Sequence, residues 1–122
     1  MADKWQAIDE FWNSFGLTAY DELSVPDDAV MPYITYSAAV SNFENPVALS
    51  ASLWYRSTSW GPVSKKSDQI SAVIEGYAIR KIDGGYMFIT RGDPFAQRMS
   101  DPSDDVIKRI YINIMAEFFT NN

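Results

Sequence analysis

The chain has 122 residues, enough for one hydrophobic core and too few for two independent ones. Apolar residues make up 47% and aromatics 15%, so a packed domain is expected rather than disorder, while sixteen acidic against ten basic residues (net −6) disfavour phosphate and nucleic acid as the main ligand. The absence of both Cys and His removes thiolates, disulfides, zinc-thiolate sites and the commonest general base, leaving carboxylates, Lys, Tyr, Ser and Thr as reactive groups.

The opening MADKWQAIDEFW lacks the basic-then-apolar layout of a signal peptide, and no 18-residue apolar run could span a membrane. Synthesis in the cytosol and no membrane partner are therefore expected. Asp3 to Phe15 reads as a helix: Trp5, Ile8, Trp12 and Phe15 fall on one face, Asp3 can cap the start, and Gly16 suits a left-handed stop. Phe11 lies at the edge of that stripe, within reach of a neighbouring chain. Leu17 to Pro32, with two prolines and the acids Asp21, Glu22, Asp27 and Asp28, reads as an irregular crossing anchored by Tyr20, Leu23 and Val25.

Tyr33 to Ser41 is strand-like, residues 42–46 supply a turn, and Val47 to Ser57 alternates cleanly. Val47, Leu49, Ala51, Leu53 and Tyr55 face inward; Ala48, Ser50, Ser52, Trp54 and Arg56 face outward. A second helix is expected within Ser59–Tyr77, entered through Gly61-Pro62 and ended by Gly76, with Val63, Ser67, Ile70, Val73, Ile74 and Tyr77 inward. Tyr77–Ile82 and Tyr86–Arg91 flank Asp83-Gly84-Gly85, a strong tight-hairpin signal. Gly92 to Asp105 reads as a long loop. Val106 to Thr120 fits either period, but its Ile, Val, Phe and Tyr content favours a strand. The expectation is a single α+β domain over residues 1–122, with a mixed or antiparallel sheet of about five strands and two helices on one face.

Little in this pattern is catalytic. Arg91-Gly92-Asp93 reads as a turn closing a strand. Gly84 and Gly85 join two strands and do not form the strand-to-helix phosphate cradle. The acids at 100–105 lack the central Gly and terminal Glu of a calcium loop. The remaining carboxylates lie in loops or on solvated helix faces, so no catalytic residue, metal ligand or cofactor is assigned. What stands out is surplus aromatic surface, because two helices shield only one face of a long sheet. Trp54, Trp60 and Phe43 are left wanting partners, with Trp54 either covered by the 92–105 loop or free for contact. Arg91, Arg98, Lys108 and Arg109 are candidates to meet the acids at 21–28 or Asp101, Asp104 and Asp105 across a subunit boundary. The candidate interface set is Phe43, Trp54, Trp60, Arg91, Arg98, Asp101, Asp104 and Asp105.

The stretches FWNSFGLTAYDELSVPDDAVMPYITY, SASLWYRSTSW and RGDPFAQRMSDPSDDVIKRIYINIMAEF resemble short neck and tail proteins from the structural modules of long-tailed bacteriophages and prophages, the tail-terminator or tail-completion group. The likeness runs from about Phe11 to Phe118. It implies a non-enzymatic virion protein that forms a ring, typically hexameric, on the finished tail tube and meets a head-completion protein. DNA would pass through such a ring without being specifically bound. The implied locations are the host cytoplasm during assembly and then the tail or neck of the virion. A head-closure or connector role in the neck, and a small acidic module binding a host protein, are the alternatives.

Overall fold

The computed structural model describes residues 2–40, 42–44, 46–101 and 104–120. Helix α1 spans Lys4–Trp12 and runs into one 3-10 turn, Asn13–Phe15, that ends at Gly16 with φ 82°. Its start is a capping box: the Gln6 amide donates to Asp3 Oδ1 at 2.8 Å, and the Asp3 amide donates to Gln6 Oε1 at 2.9 Å. The buried stripe is Ile8, Phe11, Trp12 and Phe15, the i, i+3, i+4, i+7 pattern of a helix laid on a core. Phe11, expected at the edge and available to another chain, is thus interior, and Trp5 is 50% exposed. Trp12 is fully enclosed although its indole N–H has no partner. Burying a ring of that size contributes about 4–6 kcal/mol, which exceeds the roughly 1–3 kcal/mol cost of the unpaired donor.

Among the described residues six strands form one mixed sheet: β1 (Ala19–Asp21), β2 (Tyr33–Ser37), β3 (Val47–Arg56), β4 (Ala78–Ile82), β5 (Gly85–Met99) and β6 (Ile107–Thr120). Helix α2 spans Gly61–Val73, between β3 and β4. The spatial order is β1-β2-β3-β6-β5-β4, with β1 parallel to β2 and every other pair antiparallel. The α+β class, the sheet and the two covering helices are as the sequence predicted. The added strand is β1, three residues recruited from the 17–32 crossing.

One face of the sheet carries Ile34, Leu49, Ala51, Leu53, Met87, Ile89, Ile110, Ile112, Ile114 and Ala116, all buried. Both helices cover it. Helix α2 packs across β3 and β6 through Val63, Ser67 and Ile70, while α1 touches both β1 and β4. Those two strands are the opposite ends of the strand order, so the sheet curls around α1 and the helix fills the gap between its edges. Val73 and Tyr77, expected inside, are exposed, because α2 stops at Val73 and Tyr77 enters β4 on the open-face phase.

The 17–32 crossing and the 92–105 segment depart from expectation. Leu23, predicted to anchor the crossing with Tyr20 and Val25, is 87% exposed, and Val30 is 80% exposed; Tyr20 does anchor it, edge to face with Tyr33 at 5.7 Å. Residues 92–99 are strand. Register breaks between Arg91 and Ala96, where five steps along β5 oppose two along β6. A bulge is where a proline can sit inside a strand, since no ladder donor is needed there. Asn113 Nδ2 spans it by donating to the Pro94 carbonyl at 3.1 Å. Gly92 is required at its start, because a Cβ there would lie 2.7 Å from Asn113 Cβ and 2.9 Å from its backbone carbon. Of the predicted turn at 42–46, Asn45 lies outside the described residues, as do Ser41 at the end of the predicted β2 and Pro102 and Ser103 in the acidic loop.

Candidate interaction surfaces

The eight residues proposed as an interface separate into four places. Phe43 has its partners at home: its ring meets Trp5 at 5.1 Å and Phe118 at 4.9 Å, both edge to face, and Lys4 Nζ sits 5.1 Å above it. It closes the end of the core where β6 finishes, which corrects the expectation that it needs a second chain.

Trp54 lies on the open face of the sheet. Its indole N–H donates to Thr35 Oγ1 at 2.8 Å, and the Arg109 guanidinium stacks 4.7 Å above the ring. Arg109 Nε also donates to Ser52 Oγ at 2.9 Å. The cover over Trp54 is therefore Arg109 from β6 and not the 92–105 segment. Around this arginine Glu22, Thr35, Ser37, Ser50, Ser52 and Tyr111 line a shallow polar recess of about 120 Å³.

The third group gathers where β5 and β6 meet the start of α2. Arg98 lies 4.9 Å and Lys108 5.8 Å from the Trp60 ring centroid. Lys108 Nζ donates to the Asp105 carbonyl, and Asp104 pairs with Arg56 Nη1 at 3.4 Å within the same chain. That ion pair is largely solvated and worth under about 1 kcal/mol, so its role is to shape the turn, which Asp104 also does by accepting from the Val106 amide. Asp101 accepts from the Asp104 amide through its carbonyl at 3.4 Å. Arg91 stands apart, donating to the Ser71 carbonyl at 3.0 Å and tying β5 to α2. Positions 108 and 118 are ten steps apart on β6, about 33 Å at the strand rise, so the Trp60 group and Phe43 do not share one contact.

A different surface is the apolar one, and single-residue reading missed it. On the open face Tyr77 stacks on Phe88 at 5.2 Å and Tyr86 on Phe119 at 5.2 Å. Tyr77, Ile79, Tyr86 and Phe119 are 56%, 46%, 42% and 41% exposed. Beside them Ile79, Lys81, Ile82, Gly84, Gly85 and Tyr86 line an apolar recess of about 420 Å³ at the β4–β5 hairpin. The available signal was strand phase: once Met87 and Phe118 face inward, Tyr86, Phe88 and Phe119 must face outward.

The titratable groups displaced from their ordinary range serve the fold. Burial, then the hydrogen bond its hydroxyl donates to Asp9 Oδ1 at 2.6 Å, pushes the Tyr36 phenol up, and burial raises Tyr55. The Tyr36–Asp9 contact ties β2 to α1 on the covered face. Among the described residues no three carboxylates gather where a metal ion would sit, and no helix is long and apolar enough to cross a membrane. No family model matches the chain, and a search of curated proteins also finds no match.

Proposed function

We propose that this chain is a non-enzymatic virion assembly protein of a long-tailed phage or prophage, a tail terminator that forms a ring on the end of the tail tube. Its place is the host cytoplasm during assembly and the head–tail junction afterwards, with the tube protein and a head-completion protein as partners. The reading starts from the resemblance in sequence. The observation that carries it is the exposed apolar surface on the open sheet face, Tyr77, Ile79, Tyr86 and Phe119 with half-buried Phe88 stacked under Tyr77, beside a largely apolar recess. Contiguous exposed aromatics of this kind mark protein–protein contact. A ring additionally needs a heterologous contact, two unlike surfaces that match from one copy to the next. Net charge −6 suits a channel that lets DNA pass without gripping it.

The test is light scattering after size exclusion, alone and mixed with purified tail tubes, together with micrographs of virions made without the gene. A ring in solution or on the tube, and tails of abnormal length or detached heads in its absence, are the expected results. A chain that is monomeric in both conditions and dispensable for intact necks is not a terminator.

A further inference from the structure

The polar recess around Arg109 is one-sided in its hydrogen bonding. Thr35 and Ser52 face each other across β2 and β3, and Arg109 on β6 lies opposite Trp54. Thr35 Oγ1 accepts the Trp54 indole N–H, and Ser52 Oγ accepts the Arg109 Nε–H. Each hydroxyl thus uses a lone pair and keeps its own proton, which no acceptor among the described residues takes. Ser52 is 4% exposed and lines the recess, so the recess is its outlet to a further partner. The Arg109 guanidinium is half-buried, 4.7 Å over the Trp54 ring and 5.9 Å from the Tyr111 ring, and Nε is its one hydrogen-bonded nitrogen among the described residues. The ion pair among those residues is Arg56 with Asp104, and no carboxylate joins Arg109.

Unused donors around a recess of about 120 Å³ select a group that only accepts, an oxyanion. Two features choose which one. Glu22 stands on the same lining and offsets the arginine's charge, and the chain carries −6, so each further negative charge on a ligand meets an opposing field. That favours a monoanion over a phosphate dianion. The guanidinium is planar and fixed at Nε, which leaves its Nη1–Nη2 side for a planar acceptor with two oxygens. Both point to a carboxylate. Tyr111 lines the recess, and Trp54 and Tyr33 form the next cross-strand pair beside Thr35 and Ser52. Tryptophan, tyrosine and arginine together are the composition of a protein contact centre.

We infer that the Arg109 recess receives the carboxylate of an Asp or Glu side chain from a partner protein, held by the two Nη groups with the Thr35 and Ser52 hydroxyls donating beside them. Glu22 sets the strength, because its charge opposes the incoming one. The site lies on β2, β3 and β6, away from the β4–β5 hairpin, and does not depend on the ring reading.

Titration of the full chain with acetyl-Gly-Glu-Gly-amide, followed by NMR of the Arg109 Nε–H and the Trp54 indole N–H, reads the site directly. The Glu peptide is expected to shift both signals saturably, and the matching Gln peptide to leave them in place. Arg109→Lys should raise the dissociation constant about tenfold, since an ammonium lacks the fork. Glu22→Gln, at an exposed position, should lower it roughly two- to fivefold, the effect of one partly screened charge. No shift with the Glu peptide, or equal shifts with the Gln peptide, overturns the site. Tighter binding of inorganic phosphate overturns the choice of a carboxylate, and acetate binding as tightly as the peptide overturns the side-chain source. Should Arg109→Lys fail to fold, Glu22→Gln decides, and an unchanged affinity there counts against the recess.

Discussion

Tyr36 and the glycines of the β4–β5 turn illustrate how single side chains set measurable limits. Tyr36 is 7% exposed and bonded to Asp9, so the folded state holds its proton more tightly than the unfolded chain does. Its contribution is complete below the ordinary tyrosine range near pH 10 and is lost as pH rises above it, with a slope approaching about 1.4 kcal/mol per pH unit. Tyr36→Phe should flatten part of this alkaline decline in urea-denaturation midpoints and leave the part owed to Tyr55; an unchanged slope would count against the assignment. Gly84 and Gly85 are both small for different reasons. Gly84 needs a positive φ of 76° and has open space, whereas a Cβ on Gly85 would lie 1.7 Å from the Phe119 carbonyl oxygen. Gly84→Ala is expected to cost about 1 kcal/mol, and Gly85→Ala clearly more, because β5 must separate from β6; calorimetry of the two variants orders them. The sequence alone marked these glycines as a turn but could not reveal the second demand, which comes from a strand more than thirty residues away. For the same reason Trp54 was legible as an outward residue while its cover, Arg109, was not.

At the level of elements, local signals succeeded where the determining interactions are local. The Asp3 cap, the Gly16 stop, the β4–β5 hairpin and the alternation of β3 all depend on neighbours a few residues apart, and all are found. The β6 segment satisfied two periods equally, and its β-branched content chose correctly. Misreadings arose where a distant partner decides. Gly92-Asp93-Pro94 breaks a strand by local chemistry, yet β5 continues because Asn113 on β6 bonds across the bulge. The short β1 exists because Asn13 pairs with both backbone groups of Ala19. Asn13→Ala should therefore destabilise by roughly 1–2 kcal/mol and speed amide hydrogen exchange at Ala19 relative to the β3–β6 ladder. Equal protection at Ala19 in both proteins would show that β1 stands without its clamp.

For the molecule as a whole, the strand order places β6 between β3 and β5, paired with β3 over residues 107–116 and with β5 over 109–120 apart from the bulge. Without it the sheet divides into a β1-β2-β3 piece and a β4-β5 hairpin, and α2 loses half of what it packs against. A chain ended at residue 106 should show no cooperative unfolding transition and near-complete loss of near-ultraviolet circular dichroism; a sharp melt would mean that the halves fold separately. The fold class was readable from the ordering of helix and strand patterns, and the position of β6 was not, since adjacency in a sheet is not written in chain order. The candidate interface was read least well, because polar and aromatic residues that look unpartnered in a line of text find each other in three dimensions. The central place of β6 also bears on synthesis. Because β6 follows every other strand in the chain, the ribosome must release nearly the whole domain before its two wings can be joined, and cooperative folding is completed only at the end of that synthesis.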